Sequence, residues 1–237
     1  GCLPGNHDIP LFDLRQRLFS PYGRYTQVFD AAVVGPDGMS SHEDAGLLLI
    51  SVKTTRRWRH ERGEISATQA MAVAERLRAA SPQQLRVVAV HQPIAVKPAE
   101  LGRPAPEADQ VLRGADAALA QWGVAGCDVV LGGHIHLPYV MRLPSTRAMW
   151  LAQAGTALSR RTRAGVPNSF GELIWRQPMR ELANALPVDT APAALVADSS
   201  FNLARDLGRA CLWQQWDFDA AQQAFVLAKR GRLPLAD

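Results

Sequence analysis

Asp128-Val129-Val130-Leu131-Gly132-Gly133-His134-Ile135-His136 reads as a short apolar strand that runs straight into two glycines and two histidines. An apolar run of this length without polar alternation is what a strand covered on both faces requires. The same arrangement occurs twice upstream. Leu85 to Val90 runs into His91-Gln92-Pro93, and Gly46 to Val52 runs into a polar cluster from Lys53 to Arg62. Between the runs, Ser66 opens a helical stretch with Met71, Ala74, Leu77 and Ala80 on one face, and Ser66 with Gln69 forms a capping box. A second helix is expected over about Asp109 to Trp122, broken by Gly123. Strands alternating with helices predict an α/β architecture with functional groups at the strand ends.

Outward from this centre the pattern changes. Leu11 to Phe19 has helical apolar spacing, and Tyr25 to Val34 reads as a strand closed by Gly35-Pro36-Asp37-Gly38. Beyond Pro138, Tyr139 to Leu143, Met149 to Gln153 and Phe170 to Trp175 are short strands between turn residues, which favours an antiparallel meander. Residues 177–208 hold two Ala-rich segments that read either as helices or as an extended insertion, and are left as an unplaced insertion. Leu212 to Phe218 and Ala224 to Arg230 form a closing hairpin spanning 212–230. With no repeat or linker composition, residues 1–237 are read as a single domain.

The composition agrees. The 237 residues are 47% apolar and 20% charged, with 18 Gly and 16 Pro, which excludes a disordered, collagenous or coiled-coil chain. Twenty-six basic and 22 acidic side chains leave a net charge of +4, too small an excess for a nucleic-acid footprint. Cys2, Cys127 and Cys211 are too few and too dispersed for a disulfide framework or a zinc ribbon, so a reducing compartment is expected, and the cytoplasm with it. No apolar run reaches the ~18 residues of a membrane span.

Four of the six histidines lie in three stretches, each at the mouth of a buried strand or entering a loop: Gly5-Asn6-His7-Asp8, His91-Gln92-Pro93 and Gly132 to His136. In extended backbone His134 and His136 project to the same side. Two such imidazoles can share one ion, or each can serve one of two ions ~3.5–4 Å apart, and spacing alone does not choose. Asn6 offers an amide oxygen and His91 an imidazole nitrogen, a donor mixture suited to Mn, Fe, Co or Zn. Asp8 can accept a hydrogen bond from an imidazole and fix its tautomer, which makes His7 a general-acid candidate. In the polar cluster, Arg56 and Arg57 can pair with phosphate and Trp58 can stack on a base, as a substrate wall; a solvated loop anchored by one Trp is the other reading.

The strings GNHD, HQP and GGHIH, in this order and at these strand ends, resemble the calcineurin-like metallophosphoesterases, and most closely their bacterial cyclic-nucleotide-phosphodiesterase-type branch. The resemblance runs from Gly1 to Ile174 and returns in the closing hairpin. It implies a four-layer α/β/β/α sandwich, here lacking its first strands, around two divalent metal ions. By analogy Asn6, His91 and His134 hold the second metal and His136 the first. His7 protonates the leaving oxygen with Asp8 as its partner, and a metal-bound hydroxide attacks phosphorus in line.

Two strings of the family are absent: the Asp-x-His of its first strand and the Gly-Asp-x-x-Asp of a later one, which supply the remaining acidic ligands. The chain opens at Gly1 in what reads as the end of a strand, so an upstream segment carrying both is expected. Without it, three neutral ligands face a dication, and weak metal binding with little or no hydrolysis is expected of these residues alone. The function read from the sequence is therefore a metal-dependent phosphodiesterase acting on a small phosphodiester or nucleotide-like substrate, and a homodimer is compatible with the branch. A non-catalytic phosphoesterase-like binding scaffold is the alternative, against which the retained His7 argues.

Overall fold

The computed structural model describes residues 3–29, 38–59, 61–97, 110–163, 165–175 and 209–236. These are organised as a mixed α/β protein with two sheets, and the chain divides into two compact units. Gly1–Ile135 with Tyr139–Gln153 form the first unit, and His136–Pro138 with Ala154–Asp237 form the second.

The first unit contains helices α1 (Leu14–Phe19) and α2 (Gly23–Phe29), then strands β1 (Met39–Glu43) and β2 (Leu47–Val52), helix α3 (Ala67–Ala79), β3 (Leu85–Ala89), α4 (Ala115–Val124), β4 (Val129–Gly132), β5 (Tyr139–Arg142) and β6 (Trp150–Gln153). Its sheet runs β1-β2-β3-β4-β6-β5. The four central strands β2, β3, β4 and β6 are parallel, and β1 and β5 are antiparallel edges. Parallel neighbours need crossovers, and α3 and α4 supply them between β2 and β3 and between β3 and β4.

Alternation along the central strands explains the core. Leu48, Ile50 and Val52 of β2, Val88 of β3 and Val130 of β4 join Ala70, Val73, Ala74 and Leu77 of α3 and Ala118, Leu119 and Trp122 of α4 in one apolar cluster. Val87 and Val129, on the other face of their strands, are also buried, so the continuous apolar runs correspond to strands covered on both sides. The Trp122 indole donates to the Ala70 carbonyl at 3.1 Å, which satisfies its only polar atom inside the contact between the two helices.

The capping box at the start of α3 is present: Gln69 N–H donates to Ser66 Oγ at 3.1 Å and Ser66 N–H to Gln69 Oε1 at 3.2 Å. Met71, expected on the apolar face, is instead half exposed; the buried stripe is Gln69, Ala70, Val73, Ala74 and Leu77. Gly123 does not end the second helix, which continues to Val124. Tyr25 to Phe29, read as part of a strand, lies in α2; the rest of that reading falls outside the described residues. The residue pattern there fits helix spacing as well as alternation, and Tyr25 is the buried member. Met39–Glu43, for which the sequence suggested no element, form the edge strand β1, whose polar side chains from Ser41 on are exposed. The 139–153 region is an antiparallel hairpin as expected, but β6 joins the main sheet in parallel with β4 rather than starting a separate meander.

The second unit contains β7 (Ser169–Ile174), β8 (Ala210–Asp219) and β9 (Ala224–Pro234), an antiparallel sheet in that order. The closing hairpin is β8–β9, longer at both ends than the sequence suggested, with a bulge between Gln215 and Trp216. The insertion read at 177–208 lies outside the described residues. Among the described residues no helix is long and apolar enough to cross a membrane.

Candidate functional site

Parallel strands deliver the residues that follow their carboxyl ends to one edge of a sheet. The β3–β4 ladder continues past both strands: Val90 N–H donates to Leu131 O at 2.9 Å and Gly133 N–H to His91 O at 2.9 Å. His91 and His134 are thereby held side by side, with ring centroids 5.2 Å apart in an edge-to-face arrangement. The loop Gly5–Asp8 meets them. Asn6 is almost fully buried, and its Oδ1 lies 3.0 Å from His91 Nε2 and 3.1 Å from His134 Nδ1.

The local backbone explains how this fits. Asn6–Asp8 make one turn of 3₁₀ helix, and the Asp8 carboxylate accepts the Gly5 N–H at 2.7 Å, closing the loop on itself. A β-carbon on Gly5 would stand 2.9 Å from His91 Cε1, so glycine is required for the imidazole to lie against the loop. His134 and His136 have φ of 73° and 58°, the left-handed region. They therefore do not project from extended backbone to a common side, as the sequence spacing suggested. Non-glycine residues held in this region cost about 1–2 kcal/mol each and cluster where function requires a particular side-chain direction.

Buried polar groups support the edge from below. Thr54 Oγ1 donates to Gln92 Oε1 at 2.5 Å, tying the residues after β2 to those after β3, and both side chains are buried. The Gln153 amide, at the end of β6, donates to the Gly133 carbonyl, while its Oε1 is buried without a hydrogen-bond partner. Thr54 lies in the polar cluster read from Lys53 to Arg62 and Gln92 inside a quoted string, neither with a role assigned from the sequence; nothing in the sequence marks Gln153.

The remaining candidates separate. His7 is exposed next to the buried Asn6. His136 belongs to the second unit, where its ring Nδ1 lies 2.5 Å from the Arg161 carbonyl. A protonated Nδ1 held in this way leaves Nε2 as the lone-pair nitrogen, the tautomer a metal-ligating imidazole takes. Arg56 spends three hydrogen bonds internally, on the carbonyls of Lys53 (3.0 Å) and Thr55 (3.2 Å) and on Gln69 Oε1 (2.8 Å). Arg57 is exposed, reaches the Leu18 carbonyl at 2.9 Å and lies over the Trp58 ring at 5.0 Å; Trp58 is 64% exposed.

The trio has the donor chemistry for one ion. Two metal bonds of ~2.1 Å at a right angle place their donor atoms ~3.0 Å apart, which is the spacing between Asn6 Oδ1 and each imidazole nitrogen. The set contains no carboxylate, and among the described residues no three His, Cys, Asp or Glu side chains gather as a ligand group. A second ion therefore finds no ligand set among the described residues.

No protein-family model matches the chain. No curated protein matches it either.

Proposed function

We propose that the chain carries part of the active site of a metal-dependent phosphoesterase of the calcineurin-like type, acting on a small or nucleotide-like phosphodiester. The observation that carries this reading is the meeting of Asn6, His91 and His134 from three separate strings around one point. Two divalent ions, Mn, Fe, Co or Zn, belong to the reading, and so does the four-layer α/β/β/α arrangement; the helix-covered main sheet is compatible with one strand layer and one helical layer of it. Cys127, buried and without a disulfide, supports a cytoplasmic location.

A bound dication supplies charge neutralisation on the phosphoryl oxygens and lowers the pKa of coordinated water. The chain's own residues do the rest. Asn6, His91 and His134 hold neutral donors at the carboxyl edge of the sheet. His7, exposed beside Asn6, donates its proton to the departing alkoxide oxygen. Arg57 and Trp58 face solvent and offer a guanidinium and a ring face to the substrate, whereas Arg56 is a brace of the loop that presents them. Three neutral donors balance a dication poorly, so ion binding by these residues alone is weak and turnover slow.

The test compares Mn-dependent cleavage of an aryl and an alkyl phosphodiester by the wild type, His7→Ala and His91→Ala. An alkoxide leaving group needs a proton and an aryloxide hardly does. His7→Ala is expected to lower alkyl cleavage by about 10²-fold or more and aryl cleavage far less. Equal loss on both esters removes the general-acid role. Manganese binding that His91→Ala leaves unchanged removes the metal site.

A further inference from the structure

A cleft of about 590 Å³ opens in the first unit between the start of α3, the residues after β2 and the turn joining α1 to α2. Lys53, Arg56 and Arg57 line it, with Ser66 and Thr68. No lining residue is acidic. The first turn of α3 has no acidic residue either, so the positive end of the helix dipole adds to three cationic side chains.

Such a concentration of like charge is unfavourable by itself. The Lys53 ammonium lies 4.8 Å from the centre of the Tyr22 ring, a weak partner for a full charge, and among the described residues no carboxylate pairs with it. Burial, and then the Arg56 guanidinium, push the Lys53 pKa down from its ordinary value. Glu64, the carboxylate that acts on Arg56, is engaged by Arg59 at 3.7 Å. An anion in the cleft relieves this repulsion; the carboxylates that act on lining residues, Glu64 on Arg56 and Asp8 on Tyr22, do not themselves line it.

We propose that this cleft is a binding site for a phosphate monoester of about nucleotide size. A dianionic phosphate matches Lys53, the Arg57 guanidinium, which keeps donors beyond the one on the Leu18 carbonyl, and Thr68 at the second position of α3. The volume greatly exceeds that of phosphate alone and lies within the range of small-ligand pockets. Pro21, Met39 and Ala72 give the organic part an apolar wall. The site contains none of Asn6, His91 and His134, and it does not depend on hydrolysis: a chain that cleaves nothing still binds here.

Calorimetric titration with adenosine 5′-monophosphate, inorganic phosphate and adenosine, all in EDTA, tests this. The nucleotide is expected to bind more tightly than phosphate, and adenosine not to bind. Lys53→Met keeps the apolar stem over Tyr22 and is expected to weaken the nucleotide about tenfold. Thr68→Glu places a carboxylate at the mouth of the cleft, at a helix position where acid is favourable, and is expected to abolish binding while the melting temperature holds or rises. His91→Ala is expected to bind as the wild type does. Unchanged affinity in folded Lys53→Met and Thr68→Glu, or no heat with nucleotide up to about 10 mM in the wild type, overturns the proposal. Loss of binding in His91→Ala alone would move the nucleotide to the histidine site and equally overturn it.

Discussion

Asn6 brings one uncharged oxygen to two imidazole nitrogens, and this neutrality limits what the site does. Asn6→Asp keeps the shape and adds one negative charge where a dication would sit. Manganese affinity, read by calorimetry, is expected to rise about tenfold or more, and Asn6→Ala to abolish it. An unchanged constant in both would mean that the trio is a hydrogen-bonded structural cluster. Gly5 is the second sensitive position. Gly5→Ala brings a methyl to 2.9 Å from the His91 ring, and a loss of about 1–3 kcal/mol in denaturant unfolding is expected, with His91 displaced from Asn6. At this scale the sequence was informative about which residues gather and uninformative about direction. The strings named Asn6, His91 and His134, but the left-handed backbone at His134 and His136 depends on the loop's path, and residue type alone carries no signal for it.

Elements were legible in proportion to how completely they are buried. The runs of β2, β3 and β4 and the capped start of α3 could be read because one neighbour on each side suffices to explain them. β1 and α2 could not: one is a polar edge and the other a short helix with one buried side chain. Two expectations belong here. Gln69→Ala removes the reciprocal cap of α3 together with the Gln69 contact to Arg56, and a loss of about 1–2 kcal/mol in denaturant unfolding is expected. Tyr139, on edge strand β5, donates to the Ala95 carbonyl at 3.2 Å, and burial pushes its phenol up to about 12. The unfolded phenol ionises near 10 while the folded one keeps its proton, so the contribution is complete below pH 10 and is lost as pH rises toward 12. An ultraviolet titration of phenolate is expected to show this late tyrosine, and Tyr139→Phe to remove it.

Across the whole molecule, surface chemistry is uneven. Phe12 and Phe19 are 95% and 82% exposed, and Leu14 and Val28 in the same stretch are largely exposed too. Apolar side chains concentrated in this way promote association. Replacing Phe12 and Phe19 by Asp is expected to lower light scattering and the binding of a hydrophobic dye, with a stability change within about 0.5 kcal/mol. The sequence could not reveal this, because the spacing from Leu11 to Phe19 is what a buried amphipathic helix also shows.

One side-chain amide ties the start of α3 to its surroundings: Gln69 accepts from Ser66 and Arg56 and donates to the Lys53 carbonyl at 3.3 Å. Whatever tightens or loosens Arg56 and the Lys53 backbone must also change how often the first turn of that helix frays. Deuterium uptake at the amides of Gln69 and Ala70, which are held by Ser66, is then an internal gauge of cleft occupancy, readable without a label and without any turnover.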